Sequence, residues 1–138
     1  MSLYSSPKAL FPAIGLCAPA SVAAAGVITS GATYLAVPPG ATKLKVTLSA
    51  GAVGTTPTHA LSALQATSAA GAGSKNAPLI VGTFGTVLGT VVQIDFDLPG
   101  VMDIQNGFAF LQFTITNNSA TASVIGAEFE AGPGPYLA

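Results

Sequence analysis

The pattern that decides the fold lies at residues 108–116, which read FAFLQFTIT. Apolar side chains recur at every second position, as in a β-strand, whose successive side chains point to opposite faces of a sheet. One face carries Ala109, Leu111, Phe113 and Ile115, and the other carries Phe108, Phe110, Gln112, Thr114 and Thr116. Because both faces contain large apolar groups, the strand is either central and covered twice, or joins a partner through one face.

Shorter alternating runs extend along most of the chain, separated by Gly, Pro, Asn and Ser. They predict further strands at 32–37, 42–49, 60–67, 79–84, 87–98 and 122–131, and an exposed loop at 68–78. A helix competes with the strand at 60–67, where Ala, Leu and Gln are frequent. Residues 117–119, Asn-Asn-Ser, predict a turn and a hairpin between the last two strands. The whole pattern predicts an all-β fold, a β-sandwich of jelly-roll or Ig-like type, with the strand order open.

The composition is unusual in its lack of charge. Only 7% of the 138 residues are charged, whereas about 25% is typical of soluble domains. Four lysines and no arginine argue against nucleic-acid binding. The sequence has no uninterrupted apolar run of about 18 residues, so we predict no membrane-spanning helix. A single cysteine, Cys17, excludes a disulfide framework and is interpreted as a small buried apolar residue. A surface with so few charges associates readily, so we infer that other protein covers much of it.

Three segments are predicted along the chain. Residues 1–30 form an extended docking arm, residues 31–131 form the β-sandwich domain, and residues 132–138 form a short C-terminal tail that also docks. We expect the arm to be retained and not cleaved as a signal peptide, because Pro7, Pro12 and Pro19 interrupt its apolar stretch. Aromatic side chains in or beside these segments and on the strongest strand are the candidate partner-binding residues, because amphipathic rings fill pockets on a neighbour. They are Tyr4, Phe11, Tyr34, Phe108, Phe110 and Tyr136.

The chain offers few groups for chemistry. His59 is interpreted as an ordinary loop histidine, and with Cys17 it falls short of the ligand set of a zinc site. Asp95 and Asp97 share one strand face, which we interpret as solvated; calcium binding by these two and Asp103 is the alternative. Lys43 and Lys45 share another strand face and pair with these acids or with Glu128 and Glu130, across strands or across subunits. We therefore predict no enzyme activity, no catalytic or metal site and no cofactor.

The sequence resembles the small decoration, or cement, proteins of tailed bacteriophage heads. The resemblance lies in the Met1 start, the arm rich in Pro and Ala, the sandwich rich in Thr, Ala, Gly and Val, and the stretch GFAFLQFTIT at 107–116. It implies a virion protein on the outer capsid surface, often a trimer, that bridges major capsid subunits against the pressure of the genome. Its expected partners are the major capsid protein and further copies of itself, with no nucleic acid and no membrane. A phage tail or fibre component and a secreted adhesion or carbohydrate-binding module are the alternatives.

Overall fold

The strands cover most of the described chain. The computed structural model describes residues 13–51, 58–77, 82–85 and 90–132. The strands are β1 (Ala13–Val22), β2 (Val27–Thr29), β3 (Leu35–Ala36), β4 (Lys43–Gly51), β5 (Thr58–Ala66), β6 (Lys75–Asn76), β7 (Gly82–Gly85), β8 (Thr90–Asp97), β9 (Phe110–Asn117) and β10 (Ser123–Gly132). A one-turn helix, α1 (Leu98–Val101), and a 3₁₀ turn (Ile104–Asn106) lie between β8 and β9. Within these ranges, no helix has the length and hydrophobicity that a membrane crossing requires.

The strands form two antiparallel sheets. Sheet A has the order β1-β10-β4-β8, and sheet B has the order β2-β9-β5-β6, with β3 also paired to β9 and β7 to β5. Because β2 and β3 share one side of β9, and β6 and β7 share one side of β5, the sandwich has eight strand positions. Consecutive positions lie in opposite sheets, except that β5 is followed by β6 and β7 in its own sheet. The predicted all-β sandwich is confirmed, and this strand order is that of a jelly roll.

The core lies between the two sheets and follows the predicted alternation. The inward side chains of β4, β9 and β10 are buried, and the largest of them are Leu44, Val46, Leu48, Leu111, Phe113, Ile115, Ile125 and Phe129. Phe113 of sheet B stacks on Phe129 of sheet A, with ring centroids 3.9 Å apart and ring planes 7° from parallel. The buried apolar area of the two rings and their stacking together contribute about 3–7 kcal/mol. The stack therefore joins the two sheets at the centre of the core.

The sandwich begins earlier in the chain than the sequence predicted. Residues 13–22, which the predicted arm of 1–30 includes, form β1 and pair with β10 from Ala13 opposite Glu130 to Val22 opposite Ser123. Two register shifts, the second between Cys17 and Ala20, interrupt this pairing and hide the alternation in the sequence. Residues 1–12 of the arm and 133–138 of the tail lie outside the described residues. Docking by these segments stays a prediction.

The other strands differ from the prediction mainly in their ends. At 60–67 the strand is confirmed against the helix, as part of β5. The strand predicted at 32–37 is reduced to β3, and the loop predicted at 68–78 contains the two-residue strand β6. β7 begins at Gly82, and residues 78–81 lie outside the described ranges. β8 ends at Asp97, where α1 begins with Pro99 in its first turn.

The predicted hairpin between the last two strands is wrong, because β9 and β10 belong to different sheets. The reason is a polar side chain at the end of β9, Asn117, which is fully buried. Its amide nitrogen donates to the carbonyl oxygens of Val22, Ala23 and Thr121, at 2.9, 3.3 and 3.0 Å. Its amide oxygen accepts from the backbone N–H and the hydroxyl of Ser119, at 2.9 and 2.6 Å. Asn117 thus fixes two chain crossings, after β1 and after β9, at one end of the sandwich.

We expect Asn117→Ala to lower the free energy of unfolding by about 2–4 kcal/mol, because several carbonyl and N–H groups lose a hydrogen-bond partner at a largely buried site. Urea denaturation followed by circular dichroism measures the change. Asn118→Ala is the matched control, since Asn118 is exposed and should change stability by no more than about 0.5 kcal/mol. Equal effects of the two substitutions would contradict the role given to Asn117.

Candidate partner-binding surfaces

The outer face of sheet A carries most of the charge of the chain. Six of the nine Lys, Asp and Glu residues point outward from β4, β8 and β10: Lys43, Lys45, Asp95, Asp97, Glu128 and Glu130. The strand register places Lys43 opposite Asp97, and Lys45 between Asp95 and Glu130. Opposite charges thus face each other across three neighbouring strands, an arrangement that favours this register. The predicted charge pairing is confirmed, and it occurs across strands of one chain.

One of these pairs is a direct ion pair, between the Lys43 ammonium and the Asp97 carboxylate. The hydrogen bond from Lys43 to Asp97, together with the negative charge of Asp97, raises the pKa of Lys43. Both side chains are largely exposed, with 52% and 73% of their surface accessible, so that solvent screens the pair. Its contribution lies in strand register more than in stability.

The outer face of sheet B is different. Its strands β2, β5 and β9 contain no Lys, Arg, Asp or Glu, and the charged residue of its described strands is Lys75 of β6, at the edge of the sheet. Outward positions hold uncharged side chains. The register sets Ser62 opposite Thr114, Val27 and Ala60 opposite Thr116, and Leu64 opposite Gln112. Val27 is 58% exposed, and Thr114 and Thr116 are half-buried. The two outer faces of the sandwich therefore differ in charge, and we call this uncharged one the neutral face.

Of the candidate aromatic residues, Phe110 lies on the neutral face. It begins β9, where it stands opposite Ala36 of β3 and Ala66 of β5, and its ring is half-buried. Its small neighbours leave the ring without a large side chain beside it in register. β9 is central in sheet B, and only its inward side is covered by the opposite sheet within the described chain.

Phe108 lies just before β9 and takes part in a polar cluster. The ammonium group of Lys75 sits 4.1 Å from the centre of the Phe108 ring, within range of a cation–π interaction. The same ammonium group donates to the Asp103 carboxylate at 2.7 Å. This hydrogen bond and those from Asn106 lower the pKa of Asp103. Part of the Phe108 ring is thus occupied by Lys75.

Gln65 links this cluster to sheet B. Its side-chain oxygen accepts from the Asp103 backbone N–H at 2.8 Å, and its side-chain nitrogen donates to the Asn76 carbonyl at 3.0 Å. Gln65 is buried, and both ends of its amide have partners. The residue therefore holds the segment after α1 against β5 and β6, an arrangement for which the sequence gives no periodic signal.

The remaining candidate aromatics divide between the core and the ends of the chain. Tyr34 is only 8% exposed, and its ring packs so closely on Gly71 that a Cβ there would lie 2.9 Å from it. Gly71 also has a φ of +85°, which glycine adopts most readily. The Tyr34 ring therefore fills a space within its own chain. Tyr4, Phe11 and Tyr136 lie outside the described residues, and their role in binding stays a prediction.

His59 is not in a loop, as the sequence suggested, but in β5. Its side chain is fully buried, and neither ring nitrogen has a hydrogen-bond partner in the described part of the chain. Burial disfavours the charged imidazolium and lowers the pKa of His59. Cys17 is buried as predicted, and burial raises the pKa of its thiol to about 11. Both groups are therefore held neutral at neutral pH.

The acidic residues do not converge on a metal site. Asp95 and Asp97 are exposed on β8 of sheet A, whereas Asp103 pairs with Lys75 beside sheet B. Among the described residues, no group of three or more His, Cys, Asp or Glu side chains could hold a metal ion. Within the described core, His59 is the titratable side chain whose buried polar atoms have no hydrogen-bond partner.

A pocket that sequence reasoning missed lies at the end of the sandwich opposite Asn117. Its volume is about 480 Å³, and its walls come from residues 37–42 together with Met102, Ile104 and Ala109. We call it the end pocket. Residues 37–42 approach the segment after α1 through contacts between distant parts of the chain, which a local sequence pattern does not predict.

Acidification should destabilise the protein through His59. Because its folded pKa lies below the ordinary value of about 6.5, the unfolded chain binds more protons as the pH falls below that value. The free energy of unfolding then falls by up to about 1.4 kcal/mol per pH unit between about pH 6.5 and the folded pKa. We expect His59→Leu to remove this part of the pH dependence, measured by urea denaturation between about pH 7 and pH 5.5. An unchanged dependence in this variant would refute the assignment.

Comparisons with known proteins bear on the fold. No protein-family model and no curated protein matches the sequence. Among solved structures, the CBM22-1 and GH10 modules of Clostridium thermocellum endo-1,4-beta-D-xylanase 10B, complexed with xylohexaose, are similar with a TM-score of 0.51 and 15% identity. The match covers 88% of this chain and 26% of that one, so the chain spans about a quarter of its length.

Two further structures are similar at lower scores. One is the naturally occurring empty particle of cowpea mosaic virus, with a TM-score of 0.46, 10% identity, and 90% and 84% of the two chains covered. The other is a carbohydrate-binding module of Cellvibrio mixtus lichenase 5A in complex with cellotriose, with a TM-score of 0.44, 12% identity, and 88% and 91% covered. At these identities a likeness shows the fold alone, and the chain is similar to β-sandwich proteins.

Proposed function

We propose that the chain is a non-enzymatic virion structural protein, a decoration or cement protein that binds the outer surface of an icosahedral bacteriophage head. In this role it bridges and stabilises major capsid subunits. The observation that carries the proposal is the segregation of charge between the two outer faces of the sandwich. Sheet A carries six of the nine charged residues, and strands β2, β5 and β9 of sheet B carry none.

A protein attached to a shell needs two different sides. The side toward water is stabilised by charges, which keep particles apart and soluble. The side toward the shell loses its water, and buried interface centres are depleted of charged residues for that reason. The outer face of sheet A fits the first side, and the neutral face fits the second. Phe110, half-buried on the neutral face, supplies an aromatic group of the kind that contributes strongly to binding.

The jelly roll adds support at the level of the fold. Jelly rolls occur in viral capsid proteins, and also in lectins and cupins, so that the fold alone does not select a function. Residues 1–12 and 133–138 complete the proposal as arms that reach over neighbouring subunits. Further copies of the chain assemble with it at one site, as a trimer. Ordering such arms costs about 1–2 kcal/mol per residue in backbone entropy, which buried apolar area must offset.

A carbohydrate-binding module is the second candidate, since the xylanase structure with a similar fold is complexed with xylohexaose. An open platform for sugar rings would need exposed aromatic side chains. Among the side chains that the structure describes, the large apolar residues that are exposed are Leu16, Val27, Ile104 and Val124, and none is aromatic. Phe110 on the neutral face is half-buried, so the described faces offer no fully exposed ring for such a platform.

Electron microscopy of particles from the source of the sequence tests the proposal. Gold-labelled antibody against the chain should mark the shell in a regular array. Label confined to tails would indicate a tail protein and contradict the decoration role. Unlabelled particles would contradict the proposal that the chain is a virion protein. Saturable binding of xylohexaose or cellotriose by the purified chain would favour the carbohydrate-binding module.

A charge introduced on the neutral face should prevent attachment. We expect Thr114→Lys to weaken binding to shells stripped of the chain by about 100-fold or more, because an uncompensated buried charge costs about 3–5 kcal/mol. Thr47→Lys is the matched control. Thr47 is also a half-buried, outward threonine in mid-strand, but it lies on sheet A opposite Glu128. Cosedimentation with shells measures both affinities, and equal affinities of the two variants would contradict the assignment of faces.

A further inference from the structure

β8 lies at an edge of sheet A. Within the described ranges it pairs with β4 alone, and we call the side of residues 90–97 that faces away from β4 the open edge. The strand reads TVVQIDFD and pairs with β4 from Asp97 opposite Lys43 to Thr90 opposite Ala50 without a register shift. It contains no proline, so each of its residues has a backbone N–H group. An edge of this length and regularity is a template for a further strand.

The other edge strands of the described chain are short or irregular. β1, at the opposite edge of sheet A, contains Pro19 and two register shifts. In sheet B, the edge strands β2, β3, β6 and β7 have two to four residues each. Short strands, bulges and prolines are features that keep a sheet edge from pairing with another chain. β8 has none of the three, so among the described edges it is the one best able to accept a strand.

The hydrogen bonds between β4 and β8 determine which backbone groups point to the open edge. The Leu98 N–H donates to the Thr42 carbonyl oxygen at 3.0 Å. In an antiparallel pair, hydrogen-bonded residues alternate along a strand, so the N–H and C=O groups of Phe96 also point to β4. Those of Gln93 and Asp95 then point away from β4. At these two residues the open edge offers donors and acceptors with the spacing that a partner strand requires.

The side chains at the open edge are acidic on the outer face of sheet A. Asp95 and Asp97 point outward, and both are exposed. Charge alternates across the strands, because Glu130 of β10 stands opposite Lys45 of β4, and Lys45 stands opposite Asp95. Asp97 accepts from Lys43 through Oδ1, yet 73% of the Asp97 side chain is accessible. Since opposite charges in register favour pairing, the next strand position suits Lys or Arg opposite both aspartates.

A second copy of this chain does not supply such a strand. Two copies of β8 paired antiparallel about Asp95 or Phe96 would place aspartate opposite aspartate, which is destabilising. The chain has four lysines and no arginine, and only Lys43 and Lys45 are two positions apart. Both belong to β4, which already has a strand on each side. The strand that fits the open edge therefore comes from a different protein.

We propose that the open edge of β8 receives an extended segment of another protein, with Lys or Arg at two alternate positions opposite Asp95 and Asp97. The segment adds a fifth strand to the four of sheet A. Only the source of the segment, a neighbouring protein of the shell, rests on the proposed function. Because the neutral face belongs to sheet B, failure of strand addition would leave attachment by that face untouched. Failure of attachment to shells would likewise leave the preference of the open edge for basic strands untouched.

Peptide titration of the purified full-length chain, followed by NMR, tests the proposal. The probe is the capped peptide Thr-Lys-Val-Lys-Val-Thr-Val-Thr, and the comparison peptide has Glu in place of both Lys. We expect the Lys peptide to bind at least about ten times more tightly, because its charges are opposite to those of Asp95 and Asp97. The N–H groups of Gln93 and Asp95 should exchange more slowly with solvent in the complex, whereas that of Phe96, already bonded to β4, should change little. Equal affinities of the two peptides would overturn the proposal, and so would binding without slower exchange at Gln93 and Asp95.

Two double substitutions distinguish a contact at the edge from general attraction by negative charge. Asp95→Asn with Asp97→Asn should weaken binding of the Lys peptide at least about tenfold. The matched control is Glu128→Gln with Glu130→Gln, which removes the same charge from the same sheet, but from β10, an interior strand. The control should change the affinity by less than about threefold, because β10 lies three strand spacings, about 14 Å, from the added strand, beyond a Debye length of about 8 Å. Equal losses in the two variants would contradict strand addition at β8.

Discussion

The crossing of the chain between two sheets depends on one buried amide, that of Asn117. A jelly roll places consecutive strands in opposite sheets, so the ends of the sandwich must hold several crossings whose backbone groups have no strand partner. Asn117 supplies partners for carbonyls from the segment after β1 and from the segment after β9. Because β10 starts from this point on the other sheet, it can pair with β1 on one side and β4 on the other.

The same arrangement explains how a chain with nine charged residues has a strongly charged side. Strands β4, β8 and β10 are neighbours in sheet A although they are distant in sequence. Each contributes two charged side chains at alternate positions, and pairing in register gathers them on one face. Strands β2, β5 and β9 of sheet B have uncharged side chains at equivalent outward positions. A chain with few charged residues can therefore have one charged outer face and one uncharged outer face.

The sequence predicted what depends on local alternation and failed where contacts are distant. The inward faces around Val46, Phe113 and Phe129 were correct, because a period of two needs no knowledge of the partner strand. β1 was missed, since its bulges and Pro19 break the alternation. The turn residues at 117–119 were recognised, but a turn between two strands is compatible with a hairpin or with a crossing. Only the partners of Asn117 after β1 distinguish the two, and Val22, the first of them, lies 95 residues away in sequence.

The two ends of the sandwich differ as much as its two faces. At one end, β5 and β9 bring His59 opposite Asn117, and both side chains are fully buried. At that end the Asn117 amide has all its hydrogen-bond partners within the chain. At the other end, β9 begins beside the end pocket, and β10 releases the C-terminal segment. The end pocket and the neutral face are formed by different residues, so the two surfaces are distinct parts of the sandwich.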